Sequence, residues 1–139
     1  MSFDTVKNGI SGIVKLQGLI ESQEIVDFEN ASTNEYGNTF ILKCPAGEQQ
    51  EPESETLVNK FYDYQRWQVM LAFERSAQSD LANYDAMHRI KDTLLTELDD
   101  PTNWSSYVRI QKVKSWSVQE FKNYFVLTIE LKIIDTYTY

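Results

Sequence analysis

The chain has 139 residues, which suits one domain covering 1–139. Thirteen basic and 21 acidic residues give a formal charge of −8, and this balance disfavours nucleic-acid binding as the main task, because contact with phosphates needs a basic surface. One cysteine excludes an internal disulfide, and no apolar run approaches the ~20 residues of a membrane-spanning helix, so we expect no membrane contact.

The charges are distributed unevenly along the chain. Residues 21–38 hold five carboxylates without a lysine or arginine, and residues 47–56 hold four more. Residues 105–134 carry a net charge of +3, from five basic and two acidic side chains. Two interpretations stay open: solvated acidic loops beside a mixed sheet, or an acidic and a basic surface that steer partners through complementary fields.

The first predicted element is a helix over residues 3–20. Its apolar positions follow the spacing of one helix face: Phe3, Val6, Ile10, Ile13 and Ile20. Gly9, Gly12 and Gly18 would each cost about 1 kcal/mol relative to alanine in a helix interior. We therefore expect packing to hold this helix, either closely against a sheet or against a neighbouring chain.

Short strands and loops are predicted next. Residues 24–28 and 39–43 are strand candidates, and the polar residues 29–38 between them indicate a loop. Pro45 and Gly47 bound the second strand. The acidic stretch 47–56 has no apolar periodicity, which predicts a mobile, exposed loop carrying Glu48, Glu51, Glu53 and Glu55.

The middle of the chain predicts a long strand followed by a helix. Apolar residues alternate with other side chains from Arg66 to Glu74, as expected for a strand with one face in the core. Residues 79–98 return to helical spacing, and Pro101 ends that helix. Trp104 follows directly and is expected to close the end of the helix.

Two more long strands are predicted at residues 108–116 and 124–134, joined by residues 117–123. The second strand has a continuous apolar stripe that we expect to face the helices: Phe125, Leu127, Ile129, Leu131 and Ile133. The order of elements predicts an α+β fold, a mostly antiparallel sheet with two helices packed on one face. Long exposed sheet edges favour an oligomer.

No arrangement of residues predicts a catalytic, cofactor-binding or metal site. His88 is the one histidine and lies in the middle of a predicted helix, while Cys44 lies at the end of a short strand, so nothing in the spacing brings them together. The C-terminal Tyr137 and Tyr139 have polar tips suited to a subunit interface. The alternative is that they are simple strand-end aromatics.

The order of these elements resembles the tail terminator, or tail-completion, proteins of tailed bacteriophages. The resemblance covers nearly the whole chain. It rests on the leading helix (Val6, Ile10, Ile13), the strand 39–43 with its charged loop, the strand 66–74 leading into the helix 81–98, and Trp104 before the strands 107–116 and 124–134.

This resemblance implies a structural virion protein rather than an enzyme. It implies a homo-hexameric ring that ends the tail tube and docks the head connector or a head-closure protein, with DNA passing through without specific binding. It further implies that the acidic stretch 47–56 reaches the lumen or a docking contact. Three alternatives stay open: a small α+β ligand-binding or enzymatic domain, another phage neck or head-closure protein, and an acidic adaptor that mimics DNA.

Overall fold

The structure is a computed structural model that describes residues 2–31, 35–50, 60–76, 78–104 and 108–138. These residues form two helices, α1 (Ser2–Lys15) and α2 (Asp80–Asp99), and a short 3-10 turn at Pro101–Asn103. They also form five strands: β1 (Ile20–Glu21), β2 (Thr39–Gln50), β3 (Lys60–Glu74), β4 (Val108–Glu120) and β5 (Tyr124–Thr138).

The five strands form one sheet in the order β1-β2-β3-β5-β4. Only the two-residue strand β1 runs parallel to its neighbour, and the other three pairings are antiparallel. Both helices contribute to one apolar core with the same face of the sheet. The predicted α+β fold, a mostly antiparallel sheet with two helices on one face, is therefore confirmed.

The core lies between that face and the helices because the strands alternate as predicted. Leu127, Ile129 and Leu131 of β5 are buried there, together with Trp67 to Phe73 at every second position of β3. Val6, Ile10 and Val14 of α1 and Met87, Leu94 and Leu98 of α2 complete this core.

The first helix is shorter than predicted, since it ends at Lys15 rather than at residue 20. Gly18 adopts a φ of +80°, a left-handed conformation that glycine accepts without steric cost and that commonly ends helices. The chain then turns into β1. Ile20 fits the helical spacing by coincidence, and its side chain is exposed.

The predicted strand at residues 24–28 is wrong. This segment forms no strand, and part of its hydrogen bonding is local: the Glu24 amide donates to the Ser22 hydroxyl, and the Glu29 amide donates to the Asp27 carboxylate. Its side chains still alternate, with Val26 and Phe28 buried and their neighbours exposed. The alternation arises because the segment lies across the second face of the sheet.

Strands β2 and β4 are longer than predicted. β2 continues through Pro45 and Gly47 because a register shift between Lys43 and Ala46 absorbs the proline at a bulge. A Cβ at Gly47 would lie 2.9 Å from the Tyr64 carbonyl oxygen, so only glycine fits this close approach. β4 extends to Glu120, and only residues 121–123 connect it to β5.

Trp104 closes the end of α2, as predicted. Its indole nitrogen donates to the Leu98 carbonyl oxygen at 3.0 Å, satisfying an acceptor that the helix end leaves open. The ring lies against Gly9 of α1, where an added Cβ would come within 2.9 Å of the ring. Trp104 therefore joins the two helices, and Gly9 provides the space for it.

The two glycines inside α1 should respond in opposite ways to alanine. Gly12→Ala places its methyl group where no atom lies within 4 Å, so we expect a gain of up to about 1 kcal/mol in the free energy of unfolding. Gly9→Ala forces Trp104 to move, and we expect it to destabilise by about 1–3 kcal/mol. Urea unfolding of both variants checks this, and equal gains would show that Trp104 is not fixed against α1.

Ile129→Asp should unfold or severely destabilise the domain. Ile129 is fully buried, and an aspartate there would place an unpaired charge in the core at a cost of several kcal/mol. Ser117→Asp on exposed β4 is the matched control for strand propensity and should cost less than about 1 kcal/mol. Chemical unfolding monitored by circular dichroism measures both, and a stable, cooperative Ile129→Asp protein would contradict the face assignment.

Candidate assembly surface

At one end of the sheet, the strands continue past the last buried core residues among the described side chains. We call it the distal end, where β2 and β5 finish and β3 and β4 begin. Trp67 is the core residue of β3 nearest this end, and Phe3 of α1 stacks on it with 5.3 Å between ring centroids. The ladder of β3 continues back to Lys60, a further span of roughly 20 Å.

The structure brings two predicted candidate positions to the distal end. Glu48 is exposed on β2 opposite Tyr64, and Tyr137 of β5 is the register partner of Phe61. Residues 47–50 belong to β2, so the prediction of a loop beginning at residue 47 is wrong for them. The other candidates, Glu51, Glu53, Glu55 and Tyr139, lie outside the described residues.

A chain of polar side chains adjoins Trp67 on the side of the distal end. The Trp67 indole nitrogen donates to the Gln65 side-chain oxygen at 2.7 Å, and the Gln65 amide donates to the Asp63 carboxylate at 2.5 Å. Gln65 is buried, so these bonds satisfy polar atoms that would otherwise be costly. The sequence indicates this hydrogen-bonded chain only weakly, by placing its three residues at every second position: Asp63, Gln65 and Trp67.

Cys44 on β2 and His88, which contacts β4, lie toward opposite edges of the sheet. Burial raises the pKa of the Cys44 thiol, and the nearby negative charge of Asp63 raises it further, so the thiol stays protonated and weakly nucleophilic. His88 contacts the Trp116 ring of β4 at 5.6 Å between centroids. Since β3 and β5 lie between β2 and β4, the two side chains do not meet.

Trp116 is a half-exposed aromatic residue at the β4 edge. Besides His88, it contacts Lys91 of α2, whose ammonium nitrogen lies 4.0 Å from the ring centroid. Tyr84 packs edge-to-face on His88 at 4.6 Å. Tyr84, His88 and Lys91 are spaced four and three residues apart along α2, so they share one helix face and the sequence could have indicated this cluster. The cluster fixes α2 against the edge strand β4.

The second face of the sheet is half covered by an acidic loop, residues 22–31 and 35–36. Phe28 packs edge-to-face on Tyr124 of β5 at 5.5 Å, and Val26 is buried in the same cluster. The Tyr36 amide donates to the Tyr124 hydroxyl at 3.0 Å, and the Tyr36 hydroxyl donates to Glu24 at 2.7 Å. The hydrogen bond to Glu24 raises the pKa of Tyr36, so this donor keeps its proton.

No residue of the described ranges covers the other half of that face, which we call the bare half, and it carries basic side chains. An open groove of about 330 Å³ is lined by Ala46, Gly47, Glu48, Tyr64, Arg66 and Lys132. Arg66 of β3 and Lys132 of β5 are direct register partners, a like-charge pairing that is normally unfavourable. Neither cation forms an ion pair with another side chain in the described part of the chain.

Both sheet edges carry features that oppose the addition of a further strand. Register shifts interrupt β4 between Ile110 and Lys112 and again between Val113 and Ser115. On the opposite edge, β2 carries Pro45 and its own bulge. Bulges, prolines and lysines on edge strands are common protections against edge-to-edge pairing. An oligomer of this protein is therefore expected to use side chains on its faces and strand ends.

Within the described ranges, no three or more histidine, cysteine, aspartate or glutamate side chains are grouped to hold a metal ion. In the same part of the chain, no helix has both the length and the apolar composition that crossing a bilayer requires.

In comparisons with known proteins, the sequence matches no protein-family model and no curated protein.

Tyr124→Phe should loosen the acidic loop. The Tyr124 side chain is buried, and removing its hydroxyl leaves the Tyr36 amide without its acceptor. We expect this to lower the free energy of unfolding by about 1–3 kcal/mol. Tyr36→Phe removes an exposed hydroxyl that bonds to Glu24 and interacts with Glu35, and it should cost about 0.5 kcal/mol or less. Urea unfolding and hydrogen exchange at the Tyr36 amide check the pair, and equal losses would contradict this anchoring.

Proposed function

We propose that the protein is a structural component of a bacteriophage virion that forms a ring at the head-proximal end of the tail tube. The ring ends growth of the tube and joins the tail to the head connector or a head-closure protein. The proposal takes a hexamer as its assembly and the tube protein and connector as its partners. It assigns no catalytic role to any residue.

The distal end of the sheet is the observation that carries this proposal. It holds Glu48 of β2, and in the sequence the acidic residues 51, 53 and 55 fall between the last residue of β2, Gln50, and the first residue of β3, Lys60. It also holds Tyr137. A sheet end whose strands continue past the described core residues, with an exposed carboxylate at Glu48 and a tyrosine position at Tyr137, suits contact with a neighbouring subunit or with the next ring.

The charge of this end fits a channel that DNA must cross without adhering. Carboxylates near a channel wall repel phosphates, and at ~0.15 M salt the Debye length is about 8 Å, so the repulsion acts only close to the wall. The whole chain carries a formal charge of −8, which also opposes adhesion of DNA.

The alternative of a small ligand-binding or enzymatic domain has less support among the described residues. Such a domain needs a pocket with convergent polar groups, commonly between the sheet and a helix. Here that space holds apolar side chains, and the inward-facing Gln65 is already bonded to Trp67 and Asp63. The grooves of the bare face are open rather than enclosed.

The purified protein should form closed rings. Native mass spectrometry is expected to give a single assembly of six copies, and negative-stain microscopy should show a central opening wide enough for duplex DNA. A protein that stays monomeric up to its solubility limit, alone and on tail tubes of its own phage, would contradict the proposal.

Reversing the acidic segment tests its role in the same assembly. Glu48, Glu51, Glu53 and Glu55 changed together to Lys should leave folding intact but make the ring retain duplex DNA in a gel-shift assay or fail to assemble. The matched Gln variant removes charge without reversing it and should assemble without retaining DNA. Unchanged assembly and unchanged release of DNA in the Lys variant would reduce the segment to a solvated connection.

A further inference from the structure

We infer that the second face of the sheet binds the same face of a second copy of this chain, related by a twofold axis. This contact goes beyond the proposed ring, because a ring needs head-to-tail contacts and a twofold pair does not. The inference rests on three properties of that face: its charge, its shape and its exposed apolar residue.

The two halves of the face carry opposite charge. The acidic loop exposes Glu24, Asp27, Glu29 and Glu35, and residues 22–36 contain no lysine or arginine. The bare half carries Lys43, Arg66 and Lys132 against Glu48 and Glu130. A second copy turned by 180° on this face sets acidic loop against basic half twice, which is the self-complementary arrangement of a twofold interface.

The like-charge pair within the bare half supports an external acidic partner. Arg66 and Lys132 face each other across two strands, and register places Lys112 of β4 opposite Lys132 as well. The ammonium nitrogen of Lys132 lies 5.8 Å from the centroid of the Tyr64 ring. Carboxylates from a second copy would convert this unfavourable pairing into a favourable one.

The shape of the face has the same twofold complementarity. The acidic loop adds a layer above one half of the sheet, and no described residue adds such a layer above the other half, so the described face forms a step. At the step lies an open groove of about 280 Å³ whose lining combines apolar side chains, among them Ile25 and Met70, with the charged Asp27, Glu29 and Lys43. Ile25 is 77% exposed. Two steps interlock when one copy is turned over, and Ile25 then meets the partner's groove.

The same face cannot serve both sides of a closed ring. A head-to-tail contact requires two different patches that point in different directions around the ring axis. The acidic loop and the basic half lie on one face and point the same way. The geometry therefore assigns this face to a pair of copies, or to the joining of two rings, and leaves the ring contacts to other surfaces.

Charge reversal provides the test. One variant reverses the basic half (Arg66→Glu with Lys132→Glu), a second reverses the loop (Glu29→Lys with Glu35→Lys), and a third carries all four changes. Lys7→Glu with Arg89→Glu on the helices is the matched control for the first variant, with the same change of charge on the opposite side of the sheet. Each is measured by native mass spectrometry and by sedimentation at low and physiological salt.

The pairing predicts a specific pattern. Wild type and the control should pair, each two-site variant alone should lose pairing at least tenfold in affinity, and an equimolar mixture of the two should form mixed pairs. The four-site variant should pair again, which also shows that the changes do not simply unfold the protein. Pairing should weaken as salt rises.

Three results would overturn the inference. One is a wild-type protein that does not pair, or two-site variants that each pair with the same affinity as wild type. Another is a four-site variant that is folded by circular dichroism yet fails to pair. The third is a wild type that stays unpaired but retains short duplex DNA through Arg66 and Lys132.

These outcomes are separable from those for the proposed ring. Single six-membered rings that form equally in wild type and in the charge-reversal variants would support the ring and overturn the pairing. Two copies that respond to the reversals without any ring would do the opposite. Pairs of rings that separate when the charges are reversed would support both.

Discussion

The structure depends on covering two apolar faces of one sheet. Near one end, β3 and β5 bury side chains in both directions, since Leu71 and Leu127 face the helices while Ala72 and Val126 face the other way. Two helices cover only the first face. The second requires another layer, and the segment after β1 provides it by placing Val26 and Phe28 on Ala72, Tyr124 and Val126. The acidic loop is therefore a structural cover as well as a charged surface.

This requirement explains what the sequence predicted and what it did not. Helix α2 and the long strands were predictable because each repeats one period over many residues, as in Phe125 to Ile133. Residues 24–28 were misassigned because a segment lying across a sheet alternates between buried and exposed just as a strand does. The predicted range of β2 was too short because Pro45 and Gly47 normally end strands. Only the tertiary structure shows that the bulge and the Tyr64 backbone accommodate them.

The candidate surface was predictable in composition and not in position. The sequence shows the acidic segment and the terminal tyrosines but gives no reason to place them together, because Glu48 and Tyr137 are far apart in the chain. Register places both at the distal end, since β2 and β5 are the two neighbours of β3. The pairing of Arg66 with Lys132 was equally invisible, because single-sequence periodicity contains no cross-strand register.

The character of the second face changes midway along the same strands. On β5 the residues of this face change from buried Tyr124 and Val126 to the polar Thr128, Glu130 and Lys132. The change occurs where the acidic loop no longer covers the strand. A polar half-face needs no cover for solubility, so charge there is free to serve recognition. Edges with bulges and Pro45 oppose growth by strand addition. In the assemblies proposed above, contacts between copies would therefore depend on charge on faces and strand ends, and they could form without exposing the core.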